Sequence, residues 1–287
     1  YELTCRDWSS DVCSSDLGII RAMSSRWKAF LSLLPIVLAV AVLTTWLSFA
    51  PPGLLGKADA VGYAVCHRIE ARSFHIGERA MPLCARCSGM YLGALLGLVY
   101  QWRLGRRAKL PPKSIMVVLG LFFVAFGIDG TNSYLHFFRN VPTLYDTTNF
   151  LRLLTGTGMG LALALWFLTV YHQSVWTEVE DRSAVETWGQ FAVLLGLAVL
   201  MILAVLSENP LLLYPLALLS SATVLILLTM CYSLVWVFLL KSDNAAHHFF
   251  ELRTVLTLGF STAVLQVLLM DALRLWLTGG NWGGFQF

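Results

Sequence analysis

Between Leu211 and Leu240 thirty consecutive residues carry no charged side chain. About 20 apolar residues suffice to cross the hydrocarbon of a bilayer as a helix, and lipid tolerates backbone polar groups only when a helix or a closed barrel pairs them internally. Similar runs recur along the chain, and at about 20 residues per span they predict seven membrane helices, over 29–49, 83–102, 114–135, 149–171, 188–206, 211–240 and 254–277. The 287 residues are 57% hydrophobic and 13% charged, against roughly 45–50% and ~25% in soluble domains. That composition excludes a soluble enzyme, a disordered chain and a disulfide scaffold. The expected class is all-α, a polytopic membrane helical bundle, embedded in a lipid bilayer.

The first residues stand apart. Asp7 to Leu17 reads DWSSDVCSSDL, without helical or strand periodicity, and corresponds to a translated short-read library adapter. Residues 1–22 are therefore expected to be an artefactual or disordered head, Cys5 and Cys13 with it, and Met23 the natural start. The apolar run after Met23 is too long for a signal peptide and lacks a small-x-small cleavage site, so it is expected to stay as the first helix. Without residues 1–17 the formal charge rises from +3 to +6. No basic run or aromatic-basic alternation accompanies it, which argues against nucleic acid and suits loops near anionic headgroups. Residues 23–172 are expected to form a core membrane domain with a loop over 50–83, and 173–287 an accessory three-helix membrane segment.

Lys and Arg distribution sets the orientation. With the N-terminus inside, the inner segments hold eleven, among them Arg103, Arg106, Arg107, Lys109 and Lys113, and the outer ones five, Lys57, Arg68, Arg72, Arg79 and Arg139. A bacterial cytoplasmic membrane with a cytoplasmic N-terminus is expected. Ser207 to Pro210 is short enough to make the fifth and sixth helices an antiparallel hairpin, and Pro215 near one end of the sixth lets that long span tilt or kink.

Chemistry-bearing residues concentrate between Cys66 and Gly97. Cys84 and Cys87 form a C-x-x-C whose sulfurs can share one metal or one disulfide, and Pro82 is placed to open a helix there. Thiols in a helix N-terminal turn beside Arg86 favour the thiolate. Cys66 is the third partner, and His75, or His67 if the loop folds differently, would complete a tetrahedron of three sulfurs and one nitrogen. Zinc is the first expectation, with ferrous iron and copper as alternatives; a disulfide or redox pair and inert structural thiols remain open. Cys231, alone in an apolar run, reads as a small core residue, and His247–His248 as part of a solvated loop.

Ionisable residues inside spans are functional candidates by default. Asp129, Asn132, Ser133 and His136 fall on one helical stripe, while Asn149, Arg152 and Thr155 with Gly156 form a second. By alternate crossings, both stripes emerge on the side of the Cys/His loop, as does the end holding Asp271 and Arg274. Asp129, Asn149, Arg152 and Thr155 thus form an expected intramembrane polar floor beneath the loop, unless Asp129 and Arg152 are merely a buried pair that fixes helix register. Gly89, Gly93 and Gly97, and Gly156 with Gly160, repeat every four residues as packing faces.

The block Cys66-His67, Arg72-Ser73-Phe74, Gly77, Pro82 through Gly89, Tyr91 and Gly93, followed by Asp129-Gly130 and by Asn149, Arg152 and Thr155-Gly156, resembles an uncharacterised family of prokaryotic integral membrane proteins known only as a domain of unknown function. Over about residues 60 to 165 the resemblance implies a multispan fold and groups the cysteines with Asp129 and Arg152. It implies no activity. Glu70 stands where that pattern has Pro, and Ser133 where it has Gln, which weakens a role for that position. Three functions follow as expectations: an extracytoplasmic zinc site forming a lid over the polar floor; a thiol-disulfide oxidoreductase in which Cys84 and Cys87 cycle and Cys66 resolves; or a transporter or lipid-handling protein in which Arg68, Arg72 and Arg79 hold an anionic headgroup and Asp129 or Arg152 lies inside the path.

Overall fold

The computed structural model describes residues 25–136, 138 and 142–282. The adapter-like head, Met23 and Arg139 lie outside the described residues. Among the described residues eight α-helices carry the fold: α1 (Ser25–Phe49), α2 (Leu54–Val65), α3 (Ala85–Trp102), α4 (Lys113–Leu135), α5 (Asn149–Val175), α6 (Trp188–Leu206), α7 (Pro210–Leu239) and α8 (Arg253–Leu277). The chain is an all-α polytopic bundle. Among the described residues five helices can cross a membrane by length and composition, α4 to α8, or six if α1 and α2 together count as one broken span bent by 103°.

The expected total of seven also counted α3, which is not among the helices that qualify by length and composition although it runs alongside α5. Its Gly89 and Gly93 lie against the α5 backbone at Leu153 and Thr157, while Gly156 and Gly160 of α5 lie against the α3 carbonyls of Arg86 and Met90. A Cβ on Gly97 would stand 2.6 Å from the Ala164 Cβ. The two small-residue faces interlock, as their four-residue spacing predicts. Gln101 completes the contact from the other end, its Nε2 donating to the Ala164 carbonyl at 2.8 Å. Small and polar residues that serve this packing dilute the apolar character of α3.

The long 50–83 connection is not all loop. Its Leu54–Val65 portion is helical and mostly buried, so close to the following turn that a Cβ on Gly62 would meet the Pro82 carbonyl. A hairpin of β1 (His75–Ile76) and β2 (Arg79–Ala80) follows, antiparallel with His75 opposite Ala80. Gly77 at its turn has φ 64°, a conformation glycine adopts without a Cβ penalty.

Helix ends sort into two sets. At one end β3 (Arg107–Lys109) pairs in parallel with β4 (Glu180–Ser183), and the Thr177 N–H donates to the Ala246 carbonyl at 3.0 Å. At the other end the 66–87 segment, the loop before α5 and the C-terminus of α8 come together. Thr148 caps α5 by accepting from the Leu151 N–H at 3.2 Å, and Asn209 caps α7 ahead of Pro210, each satisfying amides left over at a helix start. At ~1.5 Å per residue, the 30 residues of α7 exceed a bilayer core and require tilt or protrusion.

Candidate functional site

Cys66 ends α2 with extended backbone, and Cys84 is the residue before α3, also extended. Cys87 follows one turn into α3. Their three sulfurs all lie within 4.8 Å of one another. In a tetrahedron with Zn–S near ~2.3 Å, sulfurs stand about 3.8 Å apart, so the cluster needs only small adjustments to close on one ion. Softness of the donors agrees with zinc, and thiolates also suit copper(I) and iron.

Hydrogen bonds from the Cys84 and Cys87 thiols, then from the backbone N–H groups of Cys84 and Arg68, hold the Cys66 thiol well below its ordinary range against the opposing effect of burial. The Cys84 N–H lies 3.4 Å from the Cys66 sulfur. Cys84 moves the other way: its hydrogen bond to Cys66 and its burial push it up to about 12. Of these two thiols, Cys66 is the one whose surroundings favour the thiolate.

The two histidines part company. His67 lines the same cavity as the cysteines, whereas His75 sits on β1 with its Nε2 3.9 Å from the exposed Glu70 carboxylate. Neither belongs to the sulfur group. Cys231, on α7, is also outside it.

A cavity of about 610 Å³ opens beside the sulfurs, and its lining includes the polar Arg72, Arg86, Arg152 and Ser133 together with Val65, Ile69, Tyr134 and Phe138. The expected floor is present with a different pairing. Asp129, fully buried, is bound by Arg86, whose Nε donates to Oδ2 at 2.9 Å. Tyr145 donates to Oδ1 at 3.1 Å, and the Thr155 hydroxyl lies 3.4 Å from Oδ2. Arg152 does not reach Asp129. It donates to Asn149 Oδ1 at 2.9 Å, to Ser133 Oγ at 3.3 Å and to the Thr147 hydroxyl.

The stripe on α4 serves the loop as well as the cavity. Asn132 brackets residues 144 and 145, donating to the Tyr145 carbonyl and accepting from the Leu144 N–H, each at 2.7 Å. His136 Nε2 lies 3.1 Å from the same Tyr145 carbonyl. Ser133, which the sequence pattern had discounted, touches both Arg152 and Thr147.

From above, the 66–87 segment is tied to this floor. Arg72 donates to the Ser133 carbonyl at 3.2 Å, and Asn149 Nδ2 lies 3.5 Å from the Ala71 carbonyl. Arg68 and Arg79 are engaged elsewhere, both on the buried Asp59 of α2. The end of α8 closes the far side: Arg274 donates to the carbonyls of Tyr63 and, at 2.7 Å, of Cys66. Asp271, also fully buried, accepts no hydrogen bond among the described residues.

Sequence reasoning missed Arg86 as the partner of Asp129, along with Tyr145, Thr147 and Asp59. A signal existed for Arg86, because it lies inside a helix start between the two cysteines, where an unpaired charge is as costly as at Arg152.

A family model described as "Predicted membrane protein (DUF2085)" matches residues 66–166. The matched stretch begins on Cys66 and contains all three clustered cysteines, Asp129, Asn149, Arg152 and Thr155. An uncharacterised protein of Methanocaldococcus jannaschii is 27% identical over 119 residues, covering 41% of this chain and 70% of the relative. One of Methanothermobacter thermautotrophicus, likewise uncharacterised, is 30% identical over 108 residues, covering 38% of this chain and 88% of the relative. No solved structure matches.

Proposed function

This chain belongs to the DUF2085 family of predicted membrane proteins, and we propose that its three clustered thiols hold a metal ion, zinc first, that fastens the 66–87 segment as a lid over the intramembrane polar floor. The observation that carries this is the meeting of Cys66, Cys84 and Cys87 within 4.8 Å, brought from two helix ends that flank the segment. The Arg72 to Ser133 and Asn149 to Ala71 contacts support the lid.

When bound, zinc supplies an anchor for three thiolates and, if its fourth position opens toward the cavity, Lewis acidity there. His67, on the cavity wall, is better placed to reach that position than His75. Arg86 fixes Asp129 by its hydrogen bonds, and Asn149 with Ser133 and Thr147 orients the Arg152 guanidinium. The site faces the extracytoplasmic side of a prokaryotic cytoplasmic membrane, because the opposite helix ends carry Arg103, Arg106, Arg107, Lys109 and Lys113.

The test is anaerobic purification in detergent of the chain begun at Met23, with bound metal measured by mass spectrometry beside a free-thiol count. Near one equivalent of metal, lost in Cys84→Ser, is the expected result. Absence of metal together with a disulfide at Cys84 or Cys87 overturns it in favour of thiol-disulfide exchange. Finding neither leaves the cysteines as packing residues.

A further inference from the structure

Arg152 is only 8% exposed, and its hydrogen-bond partners, Ser133, Thr147 and Asn149, are all neutral. No described carboxylate lies within ion-pair distance of it. Asp129, the nearest candidate, is committed to Arg86. Hydrogen bonds to hydroxyls and amides satisfy the N–H groups of a guanidinium without supplying a counter-charge, Asp129 acts on it only from beyond ion-pair distance, and a largely buried cation is costly without an anion beside it.

Arg152 faces the same cavity as Arg72 and Arg86. Burial and the facing Arg86 both work against the charge of Arg72. Converging guanidiniums present planar donor forks that match the oxygens of phosphate or carboxylate. Beside the cysteines, His67 and Ser133, the wall has an apolar part made by Val65, Ile69 and Phe138. A space of about 610 Å³ exceeds a bare inorganic ion and lies in the range of small-molecule sites.

We infer that this cavity binds an oxyanion, a phosphate group above all, with Arg152 and Arg72 gripping its oxygens and the apolar wall receiving whatever chain the group carries. Sources of such a group are a lipid headgroup and free phosphate. The site does not depend on metal at the thiols, so its failure is distinguishable from failure of the zinc reading.

The test is calorimetric titration of the full chain in neutral detergent with three probes: inorganic phosphate, dioctanoyl phosphatidic acid and zwitterionic dioctanoyl phosphatidylcholine. Phosphatidic acid is expected to bind in preference to phosphatidylcholine, and Arg152→Gln and Arg72→Gln to weaken it by about tenfold or more, the loss of one charge-assisted contact. Arg103→Gln, at the opposite helix ends, is expected to leave binding unchanged. Binding of phosphate as well assigns recognition to the group alone; binding of phosphatidic acid only assigns it to a lipid head. If Arg152→Gln does not fold, Arg72→Gln decides, since its side chain is only partly buried. The proposal is overturned if neither anionic probe binds, if folded Arg72→Gln binds like wild type, or if Arg103→Gln weakens binding equally.

Discussion

Arg86, in the first turn of α3, reaches the fully buried Asp129 of α4 and donates its Nε–H to Oδ2 at 2.9 Å. A second guanidinium nitrogen of Arg86 donates to the Asp129 carbonyl at 3.0 Å, so side chain and backbone of one residue are bound by the same fork. This pair, beside the sulfur cluster, joins the helix start that carries Cys84 and Cys87 to α4, whose Gly130 and Ser133 line the cavity.

Breaking it from one side strands a carboxylate. Removing one member of a buried pair typically costs ~3–5 kcal/mol, and Arg86→Met is expected to lose that much in a denaturant titration in micelles. The double variant R86M/D129L should recover most of the loss, because no charge then remains. Wild-type stability for Arg86→Met would show that the carboxylate is compensated by other means.

Glycine substitutions separate contact from spacing. Gly160→Ala places a methyl on the Met90 carbonyl, and Gly97→Ala one beside Ala164; each is expected to lose ~1–3 kcal/mol by overpacking. Gly127→Ala meets nothing within 4 Å and should gain up to ~1 kcal/mol from helix propensity. Thermal unfolding of the three variants checks the ranking, and equal shifts at all three positions would refute the interlocked faces.

Metal retention should follow sulfur and ignore β1. Cys66→Ser is expected to lose the bound equivalent and His75→Ala to keep it. The proton on Cys84, whose thiol is pushed up to about 12, must leave when a metal binds, so uptake at neutral pH releases protons and affinity rises with pH. A competition titration between about pH 5.5 and 8 reads the sign, where thiol ligands demand the weakest binding at the acid end. Affinity independent of pH would argue against thiolate ligands.

Orientation has a direct reading. A phosphatase reporter fused after Lys109 should be inactive in a Gram-negative host, and one fused after Asp146 active, since the basic loops are expected on the cytoplasmic side. The reverse pattern would place the cysteine cluster in the cytoplasm.

Much of this architecture is legible in the residues. Apolar runs give the helices, and counting alternate crossings puts the cysteine loop, Asp129, Arg152 and Arg274 at one end, where the structure has them. Pairing is less legible, because it depends on the rotation of each helix about its axis. Asp129 could face Arg86 or Arg152 at the same depth, and only the packing of α3 into α5 selects Arg86. Leu54–Val65 escapes for another reason: its Lys57, Asp59 and glycines give it the composition of a loop, and its helix is stabilised by burial against α7 and α8 rather than by its own pattern. The α3 helix is visible, but the glycines that identify its packing face also lower its apolar character.

The interlocked glycines of α3 and α5 have a mechanical consequence. With backbone against backbone, those helices cannot slide or roll past each other, so Cys84, Cys87, Arg86 and Arg152 ride on one stiff slab. Helix α4 is held differently, by side chains: Ile115 and Leu119 at one end, Phe122 against Gly158 of α5, and Asp129, Asn132 and Ser133 at the other end, while Gly120, Gly127 and Gly130 touch nothing within 4 Å of where a Cβ would stand. The cavity thus has one wall fixed by backbone contact and another, on α4, fixed by side chains, so a change of spacing between α3 and α5 would carry Cys84, Cys87, Arg86 and Arg152 with it.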